Sequence, residues 1–410
     1  MVNSAPAAGG TMLRRARVAT CLLFLLFGAT LGAWTARIPA IKEQLRLDDP
    51  RLSIALLAFA VGCIIGMAAV GRLVDRFGSR RVMVPAALAE GLLLIPTAYV
   101  PTLVGLSLAL VLFGLFHGTL NIAMNANAIE VQRAYGRPIM SSFHAVYSIG
   151  GFSGAAAGGV FAWAGLGVGV TFICVGAAAV LLALWATSWA RPPEPALADV
   201  PRTPSTEAGP GRLLRSRPLL FLGVLAMCAL VGEGAAADWS AVYLHDNLGT
   251  SPGFAAAGYA AFAIMMTAGR LLGDRLTARF GPVNLVRASG ALAAVGLGAA
   301  LLISDPVAGV IGFGCLGAGI ACIAPQIFTA AGNRDPARSG QALALVVSMG
   351  YAGFLLGPVL IGSARTVVGL PTALAVPVVL ALFVAVSAVA LRPPATLPRP
   401  GPVSPVTSGI

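Results

Sequence analysis

The sequence predicts an all-α integral membrane protein of 12 transmembrane helices, arranged as two pseudo-symmetric six-helix halves. Three observations predict this fold: twelve apolar stretches, a Pro- and Arg-rich gap that divides them six and six, and a loop sequence that occurs once in each half. A bilayer core about 30 Å thick requires roughly 20 apolar residues per helix. The predicted spans are 18–37, 52–74, 82–100, 103–129, 139–163, 167–189, 218–243, 253–274, 283–303, 307–330, 339–363 and 370–391.

The composition agrees with a membrane protein and argues against an enzyme. The chain of 410 residues is 58% hydrophobic and 10% charged, whereas a soluble domain carries about 25% charged residues. The spans use nearly all of the length, so no sizeable soluble domain is expected. The 6 Cys lie inside apolar spans without metal-ligand spacing, which is typical of small core residues. The sequence also lacks a phosphate-binding loop and a nucleophile–base pair, so we predict no catalytic residues, metal or cofactor.

The elements follow each other in a simple order. Residues 1–17 are predicted as a cytoplasmic N-terminal segment, 18–190 as the first six-helix half and 218–391 as the second. Residues 191–217 between them are rich in Pro and poor in apolar residues, so they are predicted as a cytoplasmic linker. The Pro-rich tail, 392–410, is predicted to be disordered.

The net charge of +12 is a topology signal. With the N-terminus inside, 22 of the 27 Lys and Arg residues fall on the inner side, Arg270 among them. The other five are Arg37, Lys42, Arg46, Arg51 and Arg365. Cytoplasmic loops of membrane proteins carry such an excess. We therefore predict a multi-pass protein of a bacterial plasma membrane with both termini cytoplasmic, and we predict no nucleic acid partner.

A loop sequence is repeated at the same place in each half. The loop after predicted helix 2 reads GRLVDRFGSRR over 71–81, and the loop after predicted helix 8 reads GRLLGDRLTARFGP over 269–282. Internal repeats on this scale are typical of secondary transporters, in which the solute site lies between the repeats.

The first copy resembles the signature G-x-x-x-D-R-x-G-[RK]-[RK] of the major facilitator superfamily, with Ser79 as the one departure. Three further stretches, WTARIP at 34–39, PIMSSFH at 138–144 and EGAAADW at 233–239, resemble a bacterial branch distantly similar to fucose-permease-like sugar:proton symporters. This resemblance implies two six-helix halves around a central cavity and a monomer that exchanges small solutes and protons across the bilayer.

The repeated loop is interpreted as a gate. Gly71 allows close helix approach, Asp75 can accept hydrogen bonds from a helix N-terminus or an Arg, and Gly78 permits a tight turn. Basic side chains of the loop can bridge to Glu130 when the inner face is closed. The predicted gating residues are Gly71, Asp75, Arg76, Gly78, Arg80, Arg81, Glu130, Asp274 and Arg275. The alternative is a solvated basic loop that only sets topology.

Two carboxylates in predicted helix 7, Glu233 and Asp238, are candidates for proton coupling. Ionisable groups at membrane depth are costly and usually face a cavity or the bundle interior. Five residues apart on a helix, the two side chains differ in direction by about 140°, so they cannot both point straight into one cavity. The alternative is a structural carboxylate that is satisfied by hydrogen bonds.

A polar stripe on predicted helix 4 is the candidate cavity wall. His117, Asn121 and Asn125 are spaced i, i+4, i+8 and share one face, which suits a hydroxyl-rich or zwitterionic solute. The full set of predicted cavity residues is His117, Asn121, Asn125, Tyr147, Gln326 and Tyr351. The alternative is interhelical hydrogen bonding, worth about 0.6 kcal/mol per bond in membranes. Glu90, in the middle of predicted helix 3, receives no predicted role.

Together these features predict a proton-coupled secondary transporter of a small polar organic solute, such as a sugar or related metabolite. An exporter of drugs or metabolites by proton antiport is the first alternative. Exporters of the superfamily commonly carry a Gly-Pro pair in helix 5 and an Arg within helix 4. Here predicted helix 5 has no Gly-Pro pair, and predicted helix 4 has no Arg before its cytoplasmic end. A membrane receptor or assembly protein that does not transport is the second alternative.

Overall fold

The computed structural model describes residues 5–189 and 216–392, and these contain helices and no strand. The first half comprises α1 (Ala5–Gln44), α2 (Asp49–Phe77), α3 (Ser79–Leu94), α4 (Leu103–Tyr135), α5 (Met140–Trp163) and α6 (Val168–Trp189). The second half comprises α7 (Arg217–Val242), the segment Pro252–Ile303 that holds α8 and α9, α10 (Pro306–Arg334), α11 (Ser339–Val368) and α12 (Leu370–Leu391).

The long segment Pro252–Ile303 is two helices. Its 52 residues would form a rod about 78 Å long at 1.5 Å per residue, far longer than a bilayer core. Gly281, with φ 74° and ψ 161°, breaks it, because glycine adopts a positive φ without a steric penalty. We call 252–280 α8 and 282–303 α9. Division of this segment raises the membrane-spanning helices in the described ranges from 11 to the predicted twelve, so the predicted fold class is confirmed.

Among the described helices, α10 and α7 show local departures from regular α-helical geometry. The segment α10 consists of Pro306–Ile320 and Ile323–Arg334, which are separated at residues 321–322. At its C-terminal end, α7 continues into a π-helical turn, Tyr243–Asn247. Hydropathy alone predicted neither feature. The break in α10 lies inside apolar sequence, and the π-helical turn begins at the last residue of the predicted span 218–243 and continues into polar residues.

Packing follows the two-half pattern. In the first half, α1 packs against α5 and α6, and α2 packs against α4; in the second, α7 packs against α11, and the segment that holds α8 and α9 packs against α10 and α12. Gly150 and Gly154 of α5 lie directly against the backbone of α1 at Leu25 and Ala29. Small residues allow such close approach where lipid gives no hydrophobic drive for helix association. The halves meet where α2 packs on α11 and α5 on α8.

Several predicted boundaries remain predictions. The predicted linker 191–217 lies outside the described residues up to 215, and the predicted tail lies outside them from 393. Within the predicted N-terminal segment, α1 already begins at Ala5, well before the predicted start at 18. Hydropathy detects only the apolar part of a helix, and the helical backbone continues through the Arg-containing sequence that precedes it.

Candidate solute cavity and closed end

A cavity of about 360 Å³ lies between the two halves, within the range of roughly 300–1,000 Å³ that is usual for small-molecule sites. Most of its wall is aromatic or aliphatic, including Phe24, Phe59, Phe328 and Phe354. Its polar wall residues are Thr35, His117, Asn121, Asn125, His144, Tyr147, Glu233, Arg270 and Tyr351. A mainly apolar wall with a few polar groups is the usual composition of a site for a small organic molecule.

The cavity extends toward one end of the bundle. Its lining reaches Thr35, Ile38 and Leu56, which lie at the ends of α1 and α2 far from Asp75. At the opposite end, hydrogen bonds join the halves. We call the end that carries Asp75 the closed end and the other the open end.

Asp75 joins the two halves at the closed end. Its Oδ1 accepts from the backbone N–H of Gly340 at 2.7 Å, and its Oδ2 accepts from the backbone N–H and the side-chain amide of Gln341 at 3.2 and 2.9 Å. These amides belong to the first turn of α11, where unpaired N–H groups and the helix dipole favour an anion. A Cβ on Gly71 would meet Gln341 and Ala344, so the glycine allows this approach.

Asp274 makes the same contact from the other half. Its Oδ1 accepts from the backbone N–H groups of Ser141 and Ser142 at 2.9 and 3.2 Å, and its Oδ2 also accepts from Ser142 at 3.2 Å. These amides belong to the first turn of α5. The two acidic residues of the repeated loop therefore occupy pseudo-symmetric positions, one at each meeting of the halves.

A third contact closes the same end. Arg133, near the end of α4, donates through Nε to the side chain of Asn333 at 2.8 Å and through Nη2 to the carbonyl of Gly332 at 2.7 Å. The acceptors lie at the C-terminal turn of α10, where a cation suits the dipole. Arg133 was not among the predicted gating residues.

The other predicted gating residues stay within their own halves in the contacts described. Gly78, with φ 87°, is the single residue between α2 and α3. Glu130 accepts from the hydroxyl of Ser79 at 2.8 Å. Arg76 lies over the Phe77 ring, 5.2 Å from its centroid. Arg81 and Arg275 are exposed and Arg80 is half-buried.

Five of the six predicted cavity residues lie on the cavity wall: His117, Asn121, Asn125, Tyr147 and Tyr351. Asn121 donates to the hydroxyl of Tyr351 at 2.8 Å and so spans the two halves. Gln326 lies elsewhere. It is buried and donates to Thr277 at 2.9 Å, between α10 and α8. A polar residue type gives no direction around a helix, which is why sequence could not separate Gln326 from the others.

The two candidate carboxylates of α7 have different surroundings. Glu233 is half-buried on the cavity wall. Asp238 is exposed and is not part of that wall. The difference agrees with the angle of about 140° between them.

Arg270 lies on the cavity wall, although the sequence assigned it to the cytoplasmic side. It is 6% exposed, and its Nη1 donates to the hydroxyl of Ser148 on α5 at 2.7 Å. The error arose because α8 continues to residue 280, whereas the predicted span ended at 274. One signal could have revealed it: Arg270 stands four residues before Asp274, where the first copy of the loop has Gly71 before Asp75.

Two six-helix halves around one cavity, with pseudo-symmetric contacts that close one end, define a multi-pass membrane transporter. The family model described as Major Facilitator Superfamily matches residues 19–337, and the chain belongs to this family.

Individual proteins are also similar to this chain in sequence. The chain is 33% identical over 373 residues to an uncharacterised MFS-type transporter of Yersinia pestis, covering 91% of this chain and 94% of that protein. It is 30% identical over 175 residues to a chloramphenicol resistance protein of Streptomyces lividans, covering 40% of this chain and 43% of that protein.

Solved structures show the same fold at low sequence identity. The MFS transporter FucP in the outward conformation superposes with a TM-score of 0.77 at 16% identity, covering 92% of this chain and 98% of that one. The proton:xylose symporter XylE superposes with a TM-score of 0.69 at 15% identity, covering 92% and 95%.

Proposed function

We propose that the protein is a proton-coupled secondary transporter that moves a small polar organic solute, a sugar or related metabolite, by alternating access. The observation that carries the proposal is a cavity with polar groups on its wall, which extends toward one end of the bundle while contacts between the halves close the other end. No catalytic residue, cofactor or nucleic acid partner is part of it. One chain encloses the whole cavity, which supports a monomer in the lipid bilayer.

The orientation follows from charge. Most Lys and Arg residues of the described ranges lie toward the closed end, and the positive-inside rule puts such an end in the cytoplasm of a bacterial cell. Both termini are then cytoplasmic, and the cavity opens to the outside.

The wall suits a hydroxyl-bearing solute. Asn121 and Asn125 offer amides, Tyr147 and Tyr351 offer hydroxyls, and Phe24 and its aromatic neighbours offer flat apolar surface. Such a mixture can hydrogen-bond hydroxyl groups and pack against ring faces. FucP is described as a fucose:proton symporter and XylE as a proton:xylose symporter, which supports the same class here.

Coupling is assigned to Glu233. It is the carboxylate of α7 that lies on the cavity wall, which Tyr147 and Tyr351 also line. A carboxylate that meets the cavity can take a proton on one side of the membrane and release it on the other.

The first test is transport by the purified protein. A thermal-shift screen of metabolites finds the solute, because a ligand at 100 times its Kd stabilises the folded state by about 2.7 kcal/mol. In proteoliposomes we expect an imposed pH gradient to drive accumulation of that solute and an uncoupler to abolish it. Accumulation that ignores both would contradict proton coupling. Depletion of the solute from expressing cells would favour the exporter alternative. The similarity to a chloramphenicol resistance protein is the observation that supports this alternative. Failure of every solute to cross would favour a receptor.

Arg270 favours a second candidate class of solute, a hydroxyl-bearing carboxylate. Among the described residues, the guanidinium group of Arg270 makes one hydrogen bond, from Nη1 to Ser148. The side chain also forms part of the cavity wall. Guanidinium groups bind carboxylates through paired hydrogen bonds. A carboxylate-bearing solute in the cavity could therefore pair with the Arg270 guanidinium, whereas a neutral sugar has no charge to pair with it.

Matched solutes separate the two classes. If the solute is an acid, hydroxy-carboxylates such as gluconate will stabilise the protein against heat more than their neutral counterparts such as glucose. Arg270→Gln should then erase the difference, since loss of one partner of a desolvated charge pair costs about 2–5 kcal/mol. Equal stabilisation of the wild type and Arg270→Gln by a neutral sugar would leave the sugar class in place.

A further inference from the structure

A carboxyl group and an imidazole form a buried, hydrogen-bonded pair inside the first half. Glu90 of α3 is 0% exposed and His117 of α4 is 1% exposed, and Oε1 of Glu90 lies 2.7 Å from Nδ1 of His117. The hydroxyl of Thr30 on α1 donates to the same Oε1 at 2.8 Å. The second oxygen, Oε2, is buried and has no hydrogen-bond partner among the described residues.

The surroundings of this pair supply no full charge to balance it. Within 4.0 Å, His117 is the only ion-pair partner of Glu90 in the described ranges. From the helices packed on α3, α1 contributes Thr30, α2 contributes the thiol of Cys63, and α6 contributes Gly176 and its apolar neighbours. An ionised carboxylate beside a neutral imidazole would leave a net charge of −1 in this apolar interior, which is costly. With one added proton the pair is neutral.

His117 connects the pair to the cavity. Its ring stacks on Phe27, with centroids 3.8 Å apart and planes at 15°, and both rings line the cavity, whereas Glu90 does not. Nδ1 faces Glu90, and an imidazole can receive a proton on one nitrogen and release one from the other. The geometry therefore gives a route from the cavity to Glu90 through a single side chain.

We propose that Glu90, His117 and Thr30 form a proton-binding site of the first half. This site is separate from Glu233, and it loads one proton from the cavity through His117. Thr30 positions the carboxyl group, and the Glu90–His117 pair holds the proton. The role of this site in coupling rests on the proposed function, but the binding of the proton does not.

Infrared difference spectroscopy of the purified full-length protein between acid and alkaline buffer tests the site without a known solute. Besides any band that disappears in Glu233→Gln, we expect the wild type to show the loss of one further carboxyl or imidazolium band, which belongs to the buried pair. Both Glu90→Gln and His117→Asn should lack this band, and Thr30→Val should retain it at a displaced frequency. Glu43→Gln, which removes an exposed carboxylate, is the matched control and should leave the band unchanged.

The outcomes are distinct. Persistence of every wild-type band in Glu90→Gln would overturn the proposal, and so would a wild-type spectrum with no band beyond the one that disappears in Glu233→Gln. Thr30→Val provides the answer if Glu90→Gln does not fold, because an undisplaced band would also count against the site. If the band behaves as expected while solute transport ignores the pH gradient, the proton site stands and the proposed proton coupling fails.

Discussion

Replacement of Asp75 by Asn is expected to slow transport at least tenfold and to shift the protein away from the state with the closed end shut. Asp75 accepts three hydrogen bonds from Gly340 and Gln341 across the halves. Asn keeps one acceptor oxygen but loses the charge that suits the N-terminus of α11. Hydrogen bonds to a charged group contribute about 2 kcal/mol, which is roughly thirtyfold in the ratio of the two access states.

Transport rate and the distance between spin labels on the two halves at the closed end check this prediction together. Asp274→Asn should have a similar effect, since it removes the equivalent contact with α5. Arg72→Gln, which changes an exposed charge on the same helix as Asp75, should have little effect. Wild-type transport and an unchanged distance distribution in Asp75→Asn would reduce the loop to a determinant of topology.

The same variant distinguishes a gate from a solute site. Asp75 lies at the closed end and is not part of the cavity wall. Its removal can therefore change apparent solute affinity only by the factor with which it changes the population of the binding-competent state. A substitution on the wall, such as Asn121→Ala, should change the intrinsic affinity instead.

The sequence predicted the features that depend on periodic or local signals. Twelve apolar stretches predict twelve helices, because every spanning backbone must satisfy its own hydrogen bonds in lipid. The interpretation of Asp75 as an acceptor for a helix N-terminus came from its place at the end of an apolar span. The helix partner, α11, could not be predicted, because it lies 265 positions further along the chain.

Features that depend on helix length and direction escaped prediction. Hydropathy ends the predicted span at 274 and so puts Arg270 near the cytoplasm, whereas α8 continues to residue 280. Glu90 received no role because its partner, His117, is on another helix and the distance between them follows from packing of α3 on α4. Gln326 shows the reverse error, since a polar residue at a suitable depth faces α8 and not the cavity.

Replacement of Glu233 by Gln is expected to abolish accumulation of the solute while equilibrating exchange continues. A proton that moves with a neutral solute contributes about 2.3 kcal/mol per 100 mV of membrane potential, which supports roughly fiftyfold accumulation. Gln is close in shape to Glu and can still hydrogen-bond a solute, but it cannot carry the proton. The accumulation ratio should therefore fall to about one, and counterflow of labelled solute should persist.

Asp238→Asn is the matched comparison, because Asp238 lies on the same helix but is exposed and outside the cavity wall. We expect it to retain accumulation. Accumulation by Glu233→Gln at the wild-type ratio, together with its loss in Asp238→Asn, would move the coupling role to the exposed carboxylate. Loss in neither variant, with transport still driven by a pH gradient, would leave the buried Glu90–His117 pair as the carrier of the coupled proton, because His117 connects Glu90 to the cavity.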